Sequence, residues 1–86
     1  MNQAIQFPDR EEWNKEIDAM CFPALVNGIS LTCAISASEL QHRYGNEHLA
    51  DKLFSAHRWD LEEEAQTLIE QQKDDDQGWV WLGSAR

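Results

Sequence analysis

The sequence predicts an α+β domain: a mainly antiparallel sheet of three or four strands, with one face covered by a short helix and a long one. Three observations point there. Asn27-Gly28 sits between two apolar runs of alternating pattern. From Glu47 to Gln77 there is neither Gly nor Pro, and apolar residues recur every three or four positions. Strand-like and helix-like segments are segregated along the chain, without the alternation of a doubly wound sheet.

Asn-Gly tolerates the positive φ angles of a type I′ turn, whose twist suits a two-residue β-hairpin. Centring the turn on Asn27-Gly28 pairs Val26 with Ile29, Ala24 with Leu31, Phe22 with Cys33 and Met20 with Ile35. These side chains share one face, led by Phe22, Leu31, Ile29 and Ile35, and all are apolar. The other face pairs Leu25 with Ser30, Pro23 with Thr32 and Cys21 with Ala34, a mixed set. A slip of one residue would scatter both groups, so the register is well specified. Pro23 falls in a pair that exchanges no hydrogen bonds within the hairpin, so its missing N–H faces outward. That edge is either free or imperfectly paired.

Upstream, Ala4 to Phe7 fits a short strand stopped by Pro8. Asp9 to Asp18 is charged and reads as a loop or a single helical turn, pinned by Trp13. Downstream, Ser36-Ala37-Ser38-Glu39 has the pattern of a capping box. It opens a short helix with Ala37, Leu40 and Tyr44 inward, which Gly45-Asn46 closes.

Beyond it, Leu49, Leu53 and Ala56 form one stripe, and Phe54, His57, Leu61, Ala65 and Leu68 form another. One helix from about Glu47 to Gln72 is expected. The rival is a break near Trp59, where Asp60-Leu61-Glu62-Glu63 also resembles a capping box. Lys73 to Gly78 is a polar turn. Trp79-Val80-Trp81-Leu82 reads as a strand apolar on both faces, joining the sheet after the helices, and residues 83–86 read as a frayed tail.

At 86 residues one domain is expected, spanning 1–86, with a thin core. Sixteen acidic residues against seven basic ones give a net charge of −9. That field repels phosphate backbones and anionic membranes, so neither nucleic acid nor membrane is an expected partner. No apolar run approaches the roughly 20 residues of a membrane span. Residues Met1 to Phe7 lack the cationic start and apolar stretch of a secretory leader, and the cytoplasm is the expected compartment.

No residue set forms a recognised catalytic or metal motif, and no cofactor is expected. His42 and His48 have no standard ligand spacing, and His57 lies on an inward stripe. Cys21 and Cys33 fall on opposite sheet faces and read as reduced thiols. Neither has the sequence-local thiolate-stabilising partner a nucleophile needs. Glu62, Glu63 and Glu64 fan outward on a helix, whereas paired-carboxylate catalysis needs convergence. Asp74-Asp75-Asp76-Gln77-Gly78 places its glycine one position early for a calcium loop and lacks the closing Glu.

The remaining candidates are aromatic. Trp79 and Trp81 point the same way from one strand, either into the core or outward as a partner-binding pair, and Trp59 could join them. Three functions are therefore open. The first is a protein-interaction or accessory module with a basic protein as partner. The second is a ligand-binding protein or enzyme assembled from His57, Arg58, Cys33 and Asp60. The third is a homodimeric structural protein paired through a free sheet edge or the Trp strand.

The segments Ala4–Trp13, Cys21–Gly28, Leu31–Ser36, His57–Ala65 and Gln77–Leu82 give the chain a resemblance to the small bacterial YrdB-like family, a domain of unknown function. The resemblance implies an α+β fold and no particular activity.

Overall fold

The structure is a computed structural model and describes residues 4–83. Among these, the chain forms β1 (Ile5–Gln6), β2 (Glu12–Asn14), β3 (Ala19–Val26), β4 (Ile29–Ser36), α1 (Ala37–Tyr44), α2 (Ala50–Ala56), α3 (Arg58–Glu70) and β5 (Trp79–Trp81). The hairpin register is the expected one at every position, from Val26 opposite Ile29 to Met20 opposite Ile35. Asn27 and Gly28 carry the required positive φ, 54° and 85°.

The outer edge of β3 shows what Pro23 does. β1 pairs with Leu25 and Val26, and β2 pairs with Ala19 to Cys21. Continuing the β1 register would place Pro8 opposite Pro23, two residues without an N–H. No reciprocal hydrogen bonding is possible there, so the edge strand breaks. Pro8 to Glu11 leaves the sheet, and β2 resumes two residues out of step with β1. The charged stretch Asp9–Asp18 is thus not only loop or helical turn: it contains β2. Trp13 is 40% exposed and lies over Met20 at the sheet margin instead of pinning the segment in the core.

β5 runs parallel to β4, with Val80 opposite Cys33. The sheet order β1-β3-β4-β5, with β2 also on β3, is antiparallel except for this last pair. Phe22, Phe54, Ile35, Leu40, Leu61, Val80 and Cys33 are the largest fully buried side chains. They meet between the sheet and the helices. Ile29 is not among them: it is 67% exposed, beside the turn. Leu31 is only half-buried.

The expected long helix is two. Its start is later than Glu47, leaving Leu49 74% exposed, and Ala56 is also exposed. The break lies at His57, whose backbone (φ −121°, ψ 21°) leaves the helical region. On an unbroken helix at about 100° per residue, Leu53 and Ile69 would lie roughly 160° apart. Both are buried, at 4% and 3% exposure. The change of direction brings both onto the sheet. His57 stacks on Tyr44 of α1, ring centroids 3.6 Å apart and planes at 4°, and this contact marks the corner. Asp60-Leu61-Glu62-Glu63 starts nothing, because α3 has already begun at Arg58.

Ser36 caps α1 as expected, its hydroxyl accepting from the Glu39 N–H at 3.0 Å. Glu39 turns away to Arg43 at 2.8 Å. Gly45 ends the helix at φ 88°. No helix among the described residues is long and apolar enough to cross a membrane. Of the expected tail, Gly83 is held by its N–H donating to Glu64 at 2.9 Å; residues 84–86 lie outside the described residues.

Candidate functional site

The helices cover one sheet face only. Side chains alternate along a strand, so with Phe22, Cys33 and Val80 in the core, their neighbours stand on the opposite face. From β3, β4 and β5 that face collects Ala19, Cys21, Pro23, Leu25, Ser30, Thr32, Ala34, Ser36, Trp79 and Trp81, and the edge registers add Gln6 from β1 and Glu12 and Asn14 from β2. None of the ten positions on β3, β4 and β5 is charged, and Glu12 at the β2 edge is the one charge on the face, in a chain that is 27% charged.

The face has relief. Its floor is built from small side chains, Ser30, Thr32, Ala34 and Cys21. Trp79 and Trp81 stand along one side with their rings stacked, centroids 5.9 Å apart and planes at 17°. Trp81 is 36% exposed and Trp79 half-buried, so the pair is neither core nor free. Along the other side, Pro8, Arg10, Glu11 and Glu12 overlook Pro23 and Leu25 across a groove of about 270 Å³. This groove exists because the two prolines break the edge strand.

Two arginines hold the surroundings in place. Arg58, at the start of α3, donates to Glu62 at 2.7 Å, to Glu11, to the Pro8 carbonyl at 2.8 Å and to the Arg10 carbonyl at 3.3 Å. Its guanidinium also lies 5.5 Å from the Phe54 ring centre. Arg43 forms a fork on Glu64 at 2.7 and 2.9 Å, tying α1 to α3. Hydrogen bonding to Arg43 holds the Glu64 carboxyl below its ordinary range despite partial burial.

Asp75 accounts for the acidic turn before β5. Its Oδ1 accepts from the Gln77 and Trp79 N–H groups at 2.9 and 2.8 Å, while its own N–H donates to the Trp79 carbonyl at 2.9 Å. The turn is an Asx turn that occupies the outward N–H and carbonyl of Trp79. Neither it nor any other group of three or more metal-binding side chains gathers as a metal site among the described residues.

The structure brings Trp79 and Trp81 together and leaves Trp59 apart. Trp59 is 76% exposed on the helical layer, across the sheet from the pair, with its indole N–H donating to Glu63 at 3.1 Å. His42 and His48 are exposed, and His57 is committed to its stack on Tyr44. The second constellation, His57, Arg58, Cys33 and Asp60, presents no shared open site. Cys33 is fully buried and its thiol is pushed up to about 12 by that burial, Arg58 is engaged in its carboxylate network, and Asp60 is exposed. Cys21 lies half-buried on the open face, its thiol raised first by burial and then by Glu12. Glu62 and Glu64 do not fan into solvent: each is taken by an arginine.

Sequence reasoning missed the floor of the face and both arginine clamps. One signal for the floor was available. The second hairpin face, although mixed, contains no charge.

The chain matches the model of a family described as a protein of unknown function, DUF1488, over residues 5–82. It is 61% identical over 84 residues to the uncharacterised protein YrdB of Escherichia coli (strain K12), covering 95% of this chain and 99% of that one. The uncharacterised YrdB of Shigella flexneri matches equally, at 61% identity and the same coverage. The crystal structure of a DUF1488-family protein of unknown function from Shewanella loihica PV-4 has a TM-score of 0.85 at 32% identity. It covers 95% of this chain and 94% of that one. These likenesses carry the fold and assign no activity.

Proposed function

We infer the role from geometry, because this chain belongs to the DUF1488 family, and that family is one of unknown function. The protein is a small interaction module that binds a basic partner protein through the helix-free sheet face. One observation carries this reading: of ten neighbouring positions on three strands, the eight that reach the surface all exclude charge in a protein of net charge −9, and two tryptophans stand among them. Charge depletion with retained Trp is the composition of interface cores, not of ordinary solvent-facing sheet. The negative field around it favours encounter with a basic surface. Two free thiols, Cys21 and Cys33, support a reducing compartment, and we place the protein in the cytoplasm.

The test is capture from native bacterial lysate at low salt, using the wild type beside a Trp79→Ser/Trp81→Ser double variant whose folding is checked by circular dichroism. A basic protein retained by the wild type, and lost with the double variant and with added salt, is the expected result. An empty capture at low salt, or one that the double variant leaves unchanged, contradicts the reading.

A further inference from the structure

We propose that the occupant of the helix-free face is an amphipathic helix of the partner, apolar along its contact stripe and carrying Lys or Arg on both flanks. This rests on the interaction reading above and adds the shape and charge of the ligand.

Shape comes first. From the Pro23 position on β3 to Trp79 on β5 the face spans two inter-strand spacings, about 9.6 Å. A helix with its side chains is roughly 10–12 Å across. The small floor of Ser30, Thr32 and Ala34 lies between bulkier rows, with Trp79 and Trp81 on one side and Pro23 and Leu25 on the other. A rod fits such a trough better than a flat sheet does.

Backbone chemistry points the same way. An extended strand would have to add to a sheet edge, and the edges offer little. Asp75 already occupies both the N–H and the carbonyl of Trp79. The opposite edge is divided into strands of two and three residues. A partner segment seated on the face must therefore satisfy its own backbone, which a helix does.

Charge then selects among helices. Glu12, opposite Cys21, borders the face on the β2 side, and Asp75 borders it at Trp79, flanked in the chain by Asp74 and Asp76. Arg10 and Lys73 offset them only in part. Cationic flanks complement both borders. A second copy of this chain would set carboxylate against carboxylate, so self-association is disfavoured.

The probe is a synthetic Leu/Lys amphipathic helix of about 18 residues, five turns. It is titrated into 15N-labelled protein, with a Leu/Glu peptide of the same pattern as control. Saturable shifts at Leu25, Thr32 and the Trp79 and Trp81 indoles are expected with the Leu/Lys peptide, and none with Leu/Glu. Thr32→Glu sets a charge on the half-buried floor of the open face, outside the core cluster, and weakens binding by about tenfold or more at an unchanged native spectrum. Shifts confined to the acidic outer side of α3, equal binding by Thr32→Glu, or dimerisation through the face without peptide each overturn the proposal. If the peptide fails while native capture still depends on Trp79 and Trp81, the helix assignment falls and the interaction face stands.

Discussion

The Arg58 guanidinium donates to the Pro8 carbonyl at 2.8 Å across fifty residues of sequence. This bond joins the first turn of α3 to the segment that leaves the sheet where Pro8 and Pro23 would otherwise meet. One wall of the open-face groove therefore depends on a residue of the opposite layer. Arg58→Ala should cost about 1.5–3 kcal/mol, the range for hydrogen bonds to a charged group. Arg58→Lys should recover only part, because an ammonium cannot reproduce the fork. Urea denaturation measures the loss, and trypsin cleavage at Arg10 should accelerate in the alanine variant.

The Arg43–Glu64 pair makes stability depend on acid. The Glu64 carboxyl is depressed in the folded state, so its contribution is present above the ordinary Glu range. It is lost as pH falls through the folded value. Glu64→Gln should lower stability at neutral pH and flatten the acid limb of the stability profile. Equal acid slopes for variant and wild type would show that the pair carries no such linkage.

Cys33 sets the alkaline limb. Its thiol is raised from 9.0 to about 12, so the unfolded chain releases that proton first. Its contribution is intact below pH 9 and is lost as pH rises towards 12. Cys33→Val removes the linkage with little change in volume. At pH 8 a thiol reagent should label half-buried Cys21 slowly, and Cys33 only on unfolding.

Asp75 holds the Trp strand. Asp75→Ala loses two acceptor contacts and should cost about 1–2 kcal/mol, with faster hydrogen exchange at the Trp79 amide. Asp75→Asn keeps a side-chain acceptor and should lose less. Millimolar calcium should leave the melting temperature of the wild type unchanged.

How much of this was written in the chain depends on the range of the interaction. The hairpin was legible because Asn27-Gly28 and a period of two are local signals that agree, and Pro23 even marked the place where the edge would fail. The corner at His57 was legible only as the rival break near Trp59, since no Gly or Pro announces it. It exists because Leu53 and Ile69 must both reach one sheet, which only the tertiary packing specifies. β2 was hidden by Glu12 and the charged residues around it, which an edge strand tolerates because its outer side meets water. The shared orientation of Trp79 and Trp81 followed from alternation. Which face they would occupy depended on β5 pairing with β4 so that Val80 met Cys33. Arg58 and Arg43 were invisible as clamps, because their partners lie up to fifty residues away.

The proposed function requires that a partner cover the helix-free face in the cell. The most direct measurement places a photo-reactive side chain at Thr32, on that face, and another at Gln66, on the exposed side of α3, and irradiates living bacteria. A discrete cross-linked partner from Thr32 and none from Gln66 is the expected result. Cross-links from Gln66 alone, or none from Thr32 at native expression, would contradict it.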